Sequence, residues 1–193
     1  MKKRIILTSL MASMVISTSV FAADPELAQL KSGKPIVKET TDPNTKASEM
    51  QLIFLVKAKP EKVWDILMDC EKYPEFMPVK EYKYKTRGSG FDIVHVQPEA
   101  PAMFNVSYDM KRTYNKADWK ISFAKVAGKI KSINGWWKFE PLDSKYTKIT
   151  YVSNVDIGMP VPGFVKDYFA KGSLMKVADG VKKRVESNGT WKR

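Results

Sequence analysis

Residues Glu61–Pro78, EKVWDILMDCEKYPEFMP, decide how this chain is read, because they combine three aromatic residues, two methionines, five carboxylates and the only cysteine. Pro60 stands where a helix can start, having no N–H to lose there. Val63, Trp64, Leu67 and Met68 recur at helical spacing until Pro74 interrupts. The stretch predicts an amphipathic helix followed by a shorter turn or second helix ending at Pro78. Cys70 falls on the Val63–Leu67 face with no histidine near it in sequence, which marks a buried structural thiol rather than a nucleophile. With one cysteine no intrachain disulfide exists.

Strand patterns flank this helix. Ahead of it, Met50, Leu52, Phe54 and Val56 share one face of MQLIFLVKA. After it, strand-like runs cover Val79–Thr86, Phe91–Val96, Met103–Tyr114, Trp119–Phe123, Ile130–Glu140 and Tyr146–Ile157. Turn signals such as Gly88-Ser89-Gly90 and Asn115–Asp118 separate them. Short links between consecutive strands imply an antiparallel sheet. Beyond Gly158–Gly163, the residues Phe164, Tyr168, Met175, Ala178, Val181 and Val185 fall on one broad helical face, so a long helix closes the chain. Strand, helix pair, about six strands and a long helix make an α+β layer architecture.

The first residues, MKKRIILTSLMASMVISTSVFAADPE, run from Lys2, Lys3 and Arg4 through a short apolar stretch to Val20-Phe21-Ala22. This is the pattern of an export signal cut after Ala22, and the stretch is too short and too rich in Ser and Thr for the roughly 20 apolar residues of a membrane anchor. The expected organisation is a signal peptide over 1–22, a polar segment over 23–46 with a short helix ending at Gly33 and a strand near Ile36-Val37, and one domain over 47–193. The expected location is the periplasm. The chain carries +12; three of its 33 basic residues lie in the leader, leaving 30 against 21 acidic ones, a net +9. That balance suits anionic membrane surfaces or acidic partners as well as plain solubility, and export disfavours nucleic acid.

Ala58–Asp69 with Tyr73–Pro78, supported by Gly135–Leu142, the Thr147–Val152 strand and Gly158-Met159-Pro160, resembles the START-like (SRPBCC, helix-grip) superfamily, on the polyketide cyclase/dehydrase and coenzyme Q-binding branch. The resemblance implies a curved sheet gripping the C-terminal helix around a hydrophobic cavity. Many such proteins bind lipids, sterols, quinones or polyketides, and a minority catalyse.

Strand alternation nominates the lining. Phe104, Tyr108, Met110 and Arg112 share a parity, as do Trp119 with Phe123, Trp137 with Phe139, and Tyr151 with Ser153; Tyr82 and Tyr84 come from the next strand, and Phe164, Tyr168 and Met175 from the last helix. Between Ile130 and Gly135 the apolar residues switch parity and Asn134-Gly135 carries a bulge signal, so that segment is left unassigned. Phe76, Met77 and Met159 are expected at the cavity entrance, where prolines interrupt helix. Asp109, Glu140 and Asp156 fall outward, so the best-assigned inner strands hold no acid–base pair. The expected function is binding or carriage of a hydrophobic molecule. Two alternatives stand: a cyclase/dehydrase-type enzyme using His95, placed inward with Phe91 and Ile93, or Tyr108; and a protein-interaction module without a ligand. No cofactor is expected, and one His with one Cys cannot complete a zinc site, so no metal is expected. Lys111, Lys120, Lys138 and Lys148 fall outward and would suit transient contact with an anionic membrane.

Overall fold

A computed structural model of the chain describes residues 24–41, 48–100, 106–158 and 172–193. The leader, Phe104, Met159, Phe164 and Tyr168 lie outside the described residues.

The described elements are helix α1 (Pro25–Lys31), strands β1 (Ile36–Thr41) and β2 (Ser48–Val56), helix α2 (Pro60–Met68), a 3-10 turn (Cys70–Glu75), strands β3 (Val79–Gly88), β4 (Phe91–Pro98), β5 (Tyr108–Asn115), β6 (Lys120–Gly128), β7 (Ser132–Pro141) and β8 (Thr147–Asp156), and helix α3 (Ser173–Glu186). The strands form one antiparallel sheet in the order β1-β2-β8-β7-β6-β5-β4-β3. Each of the strands β3 to β8 pairs antiparallel with the next in sequence. The sheet therefore meanders until β8 returns to pair with β2.

Helix α2 forms as its sequence predicts. Pro60 occupies the first turn, and Pro60, Val63, Trp64 and Leu67 are buried. Trp64 meets Trp119 and Phe139 edge-on, with ring centroids 5.9 and 6.3 Å away, an arrangement favoured by the ring quadrupoles. One face of α2 thus lies on the inner face of the sheet at β7 and the residue ahead of β6. Helix α3 buries Leu174, Ala178, Val181 and Val185 in the same core. The inner faces of β2 to β8 contribute the sheet side of this core, including Leu52, Val94, Met110, Ile121, Trp137 and Ile149.

Two expectations need correcting. The segment set apart as 23–46 contributes the edge strand, since β1 pairs with β2 from Ile36↔Ile53 to Thr41↔Ser48. Leu30, Ile36 and Leu55 bury one another in a second, smaller cluster that ties α1 to the sheet. The boundary drawn at residue 46 therefore falls inside the sheet. Nor does a bulge occur at Asn134-Gly135, for β7 runs in unbroken register with β8 from Ser132↔Asp156 to Pro141↔Thr147. The glycine is there because a Cβ on Gly135 would stand 2.0 Å from the Val152 carbonyl oxygen and 2.6 Å from the Phe123 ring. The apparent parity switch comes from Ile130, which is buried in the turn before β7 begins.

Candidate functional site

Paired residues across antiparallel strands point to the same side, so the register defines the inner face row by row. One row reads Met50, Ser153, Gly135, Phe123, Arg112 and Asp92. The next reads Leu52, Tyr151, Trp137, Ile121 and Tyr114. This face divides into a polar half under α2 and an aromatic half along β5–β8.

The polar half is a closed network. Arg112 donates from Nε to Asp92 Oδ1 at 2.8 Å and from a terminal nitrogen to Asp92 Oδ2 at 2.6 Å, while its other terminal nitrogen reaches the Leu67 carbonyl at 3.2 Å. Tyr114 donates its hydroxyl to Asp92. Tyr73 donates to the Leu67 carbonyl at 2.6 Å and Tyr84 to the Met68 carbonyl at 2.7 Å. The last carbonyls of a helix have no partner within it and carry partial negative charge. Here a guanidinium and two phenols from the sheet and the 3-10 turn cap them. Burial pulls the Arg112 guanidinium toward neutrality, but the Asp92 hydrogen bonds together with the electrostatics of Tyr82, Tyr73 and Cys70 outweigh it, so its pKa is raised. Arg112, Tyr82 and Tyr84 do face inward. The α2 end and the 3-10 turn occupy them, with Tyr82 4.6 Å from Tyr73 between ring centroids. Trp119 and Phe139 are likewise taken up by Trp64.

Sequence reasoning missed Asp92. In β4 the buried residues are Asp92, Val94 and Val96, while Phe91, Ile93 and His95 are partly exposed, so the strand faces the opposite way from the expected one. His95 consequently points outward and its Nδ1 lies 2.8 Å from Asp109, which also accepts from Lys85 at 2.6 Å. That removes His95 from the inner face and from the enzyme reading. Both faces of β4 carry apolar residues, which is why periodicity misled. The signal available was Arg112: a buried guanidinium on β5 demands an anion on its neighbour.

Cys70 is fully buried beside this network, and burial pushes its thiol up to about 11. The unreactive reading yields a test. In the folded protein at pH 8, alkylation of Cys70 by iodoacetamide should run at least about 100-fold slower than in urea, because so little thiolate is present.

The aromatic half holds most of the remaining nominated residues. Trp137 and Tyr151 rings lie 4.3 Å apart and Phe123 stacks on Tyr151 at 5.9 Å. Tyr108, Met110 and Ser153 are buried around them. Burial raises the Tyr151 phenol, and a hydrogen bond with Ser153 opposes it. The Tyr108 hydroxyl has no hydrogen-bond partner among the described residues, and burial keeps it protonated by raising its pKa. Toward the end of β8 this face opens: Tyr151 is half-buried and Val155 is 45% exposed. Met175 does not join this group. It is 44% exposed on α3 and lines a groove beside α1 instead.

Phe76 and Met77 also depart from the expected place. They are 1% and 4% exposed, sealed by α3 and the chain's last residues rather than standing at an open rim. Arg184 lies over the Phe76 ring and binds Glu75 at 2.9 Å. Arg193 donates its backbone N–H to the Glu75 carbonyl at 2.9 Å and pairs with Glu99 at 2.9 Å. Local desolvation raises the Glu75 carboxyl, but the Lys192 hydrogen bond and the Lys192, Arg184 and Lys72 charges hold it below the usual value; the Arg193 hydrogen bond lowers Glu99 despite its own desolvation. Depressed carboxyls contribute stability above their unfolded pKa and lose it as pH falls through the folded one. Hydrogen exchange of the Phe76 and Met77 amides should therefore be slow at pH 6 and accelerate beyond the intrinsic pH trend as the pH drops below 4.5.

A meandering antiparallel sheet closed on its inner side by a helix pair and a C-terminal helix, with an aromatic face between, defines the START-like, helix-grip class. The chain belongs to the polyketide cyclase/dehydrase and lipid transport family, whose model matches residues 56–181. Solved structures agree on the fold. The STAR-related lipid transfer protein from Xanthomonas axonopodis is 17% identical with a TM-score of 0.65, over 78% of this chain and 93% of that one. The Zhui aromatase/cyclase from Streptomyces sp. R1128 is 19% identical with a TM-score of 0.60, over 73% and 97%. Human StAR-related lipid transfer protein 5 is 14% identical with a TM-score of 0.59, over 79% and 82%. No curated protein matches the chain.

Proposed function

We propose that this protein binds and carries a hydrophobic small molecule of lipid, quinone or isoprenoid type, held against the aromatic half of the inner face. One observation carries the choice over the enzyme reading: Asp92 is the only buried carboxylate among the described residues, and Arg112 and Tyr114 consume it. No free acid–base pair is left beside Tyr108, Tyr151 and Ser153 among the described residues. What remains is an apolar wall with hydroxyls, the composition of a binding pocket. The family and its lipid-transfer and cyclase members are consistent with either activity; the committed carboxylate favours carriage.

Binding would be driven by apolar burial, about 25 cal/mol per Å² removed from water, with the Tyr108 hydroxyl meeting the ligand's polar end. Tyr108→Phe should then weaken binding of a quinone or long-chain alcohol by about three- to tenfold, the worth of one neutral hydrogen bond. Binding of a hydrocarbon of equal length should not change. Titration of delipidated protein followed by tryptophan fluorescence reads both, and an equal effect on the two ligands would contradict the assignment.

The leader pattern at Lys2–Ala22 supports a periplasmic site of action. Contact with an anionic membrane during loading fits the outward lysines. Lys148 is already paired with Glu140 at 3.0 Å, and Lys120 covers the Trp136 ring at 5.4 Å.

A further inference from the structure

Strand β1 ends at Ile36 opposite Ile53, so the edge of β2 at Phe54 and Leu55 has no strand beside it. The chain turns away there through Gly33, Lys34 and Pro35 toward α1, and α3 passes on the other side. Between them lies a groove of about 410 Å³, separate from the aromatic half of the inner face. Its floor is apolar: Leu30, Pro35, Phe54, Leu55, Met175 and Ala178. A volume of this size is in the range of small-molecule sites.

The rim is charged, and its charges are unequally engaged. Lys183 is paired with Asp179 at 2.8 Å, and Glu186 accepts the backbone N–H of Lys57 at 2.9 Å. Lys34 and Lys182 make no ion pair among the described residues, although both line the groove. Lys182 bends over the turn, its amine 3.5 Å from where a Cβ on Gly33 would stand; the glycine, at φ +84°, leaves that space open. Three lysines against Asp179 and Glu186 leave the rim a net +1, and with Lys34 and Lys182 outside any ion pair above an apolar trough, the groove matches a ligand with an anionic head and a hydrocarbon tail.

We propose that this groove is a second binding site, for a single-chain anionic amphiphile of the fatty-acid class, whose carboxylate sits between Lys34 and Lys182 and whose chain lies along Phe54, Leu55 and Met175. The site stands apart from the inner-face carriage proposed above, and neither depends on the other.

The test uses the full chain with dodecanoate bearing a diazirine at its tail, followed by photolysis and peptide mapping. Dodecanoate should label the peptides containing Pro35 or Met175, whereas acetate should not compete and dodecanol should compete at least about tenfold less well, the cost of losing one charged contact. Lys34→Glu with Lys182→Glu should weaken labelling about tenfold or more, and Met175→Trp should block it by filling the trough. Met175 is exposed, so this variant is expected to retain the parent's thermal midpoint. Absence of label at these peptides, equal competition by dodecanol, or labelling unchanged in both variants overturns the proposal. Label confined to β5–β8 peptides overturns it too, while leaving inner-face carriage standing.

Discussion

Replacing Asp92 with alanine is expected to cost about 3–5 kcal/mol of folding stability, the penalty for leaving one member of a buried ion pair without its partner. Asp92 is fully buried and Arg112 is 2% exposed, joined by two hydrogen bonds of 2.8 and 2.6 Å. Without the carboxylate, the guanidinium retains one carbonyl, and the Tyr114 hydroxyl loses its acceptor. The cap on α2 loosens with them, so the loss is felt at Tyr73 and Tyr84 as well. Asp92→Leu combined with Arg112→Met removes both charges and should recover most of the deficit, since a buried pair and a well-packed apolar replacement differ little in net energy. Urea unfolding of the three proteins measures this. A single variant within about 1 kcal/mol of the parent would show that water reaches the pair and that the network is not the clamp described.

Gly180→Ala is expected to destabilise by about 2 kcal/mol, against the usual sign for glycine in a helix. In an exposed helix interior this exchange gains about 1 kcal/mol. Here a Cβ would stand 1.7 Å from the Phe76 carbonyl oxygen, a backbone atom that cannot swing aside. Either α3 retreats or the Tyr73–Pro78 segment does, and overpacking of this kind costs about 1–3 kcal/mol or more. The shift would also strain the Glu75–Arg184 contact, so Gly180→Ala should speed exchange of the Phe76 and Met77 amides at pH 6. A stabilised variant would mean that the two elements are not in contact.

Both predictions rest on contacts between distant parts of the chain, and this is where sequence reading stopped. Helix α2 was legible because Val63, Trp64 and Leu67 repeat at helical spacing and Pro60 marks the start. The strands were legible because Tyr108, Met110 and Arg112 alternate with polar residues, and their inward parity holds. Strand β4 was not, because Phe91 and Ile93 compete with Val94 and Val96 and only the pairing of Asp92 with Arg112 breaks the tie. Parity also cannot say which inward residues α2 covers, so it nominates Tyr82, Tyr84, Trp119 and Phe139 for the cavity lining although they pack under the helix or its 3-10 turn. The prolines near Phe76 read as a mobile rim. Arg184 and Arg193, more than a hundred residues away, pin the segment. Edge strand β1 was visible only as a weak apolar pair, Ile36-Val37, and its membership of the sheet depends on register with β2.

Carriage requires that an apolar molecule occupy the inner face. Native mass spectrometry of the full chain, purified without detergent from a periplasmic extract and compared before and after solvent extraction, tests it most directly. A mass excess of one hydrophobic molecule per chain is expected, removed by extraction and restored on adding the extracted lipid back, with Tyr108→Phe restoring less. A chain that carries no excess mass and takes up none from its own lipid extract would contradict it.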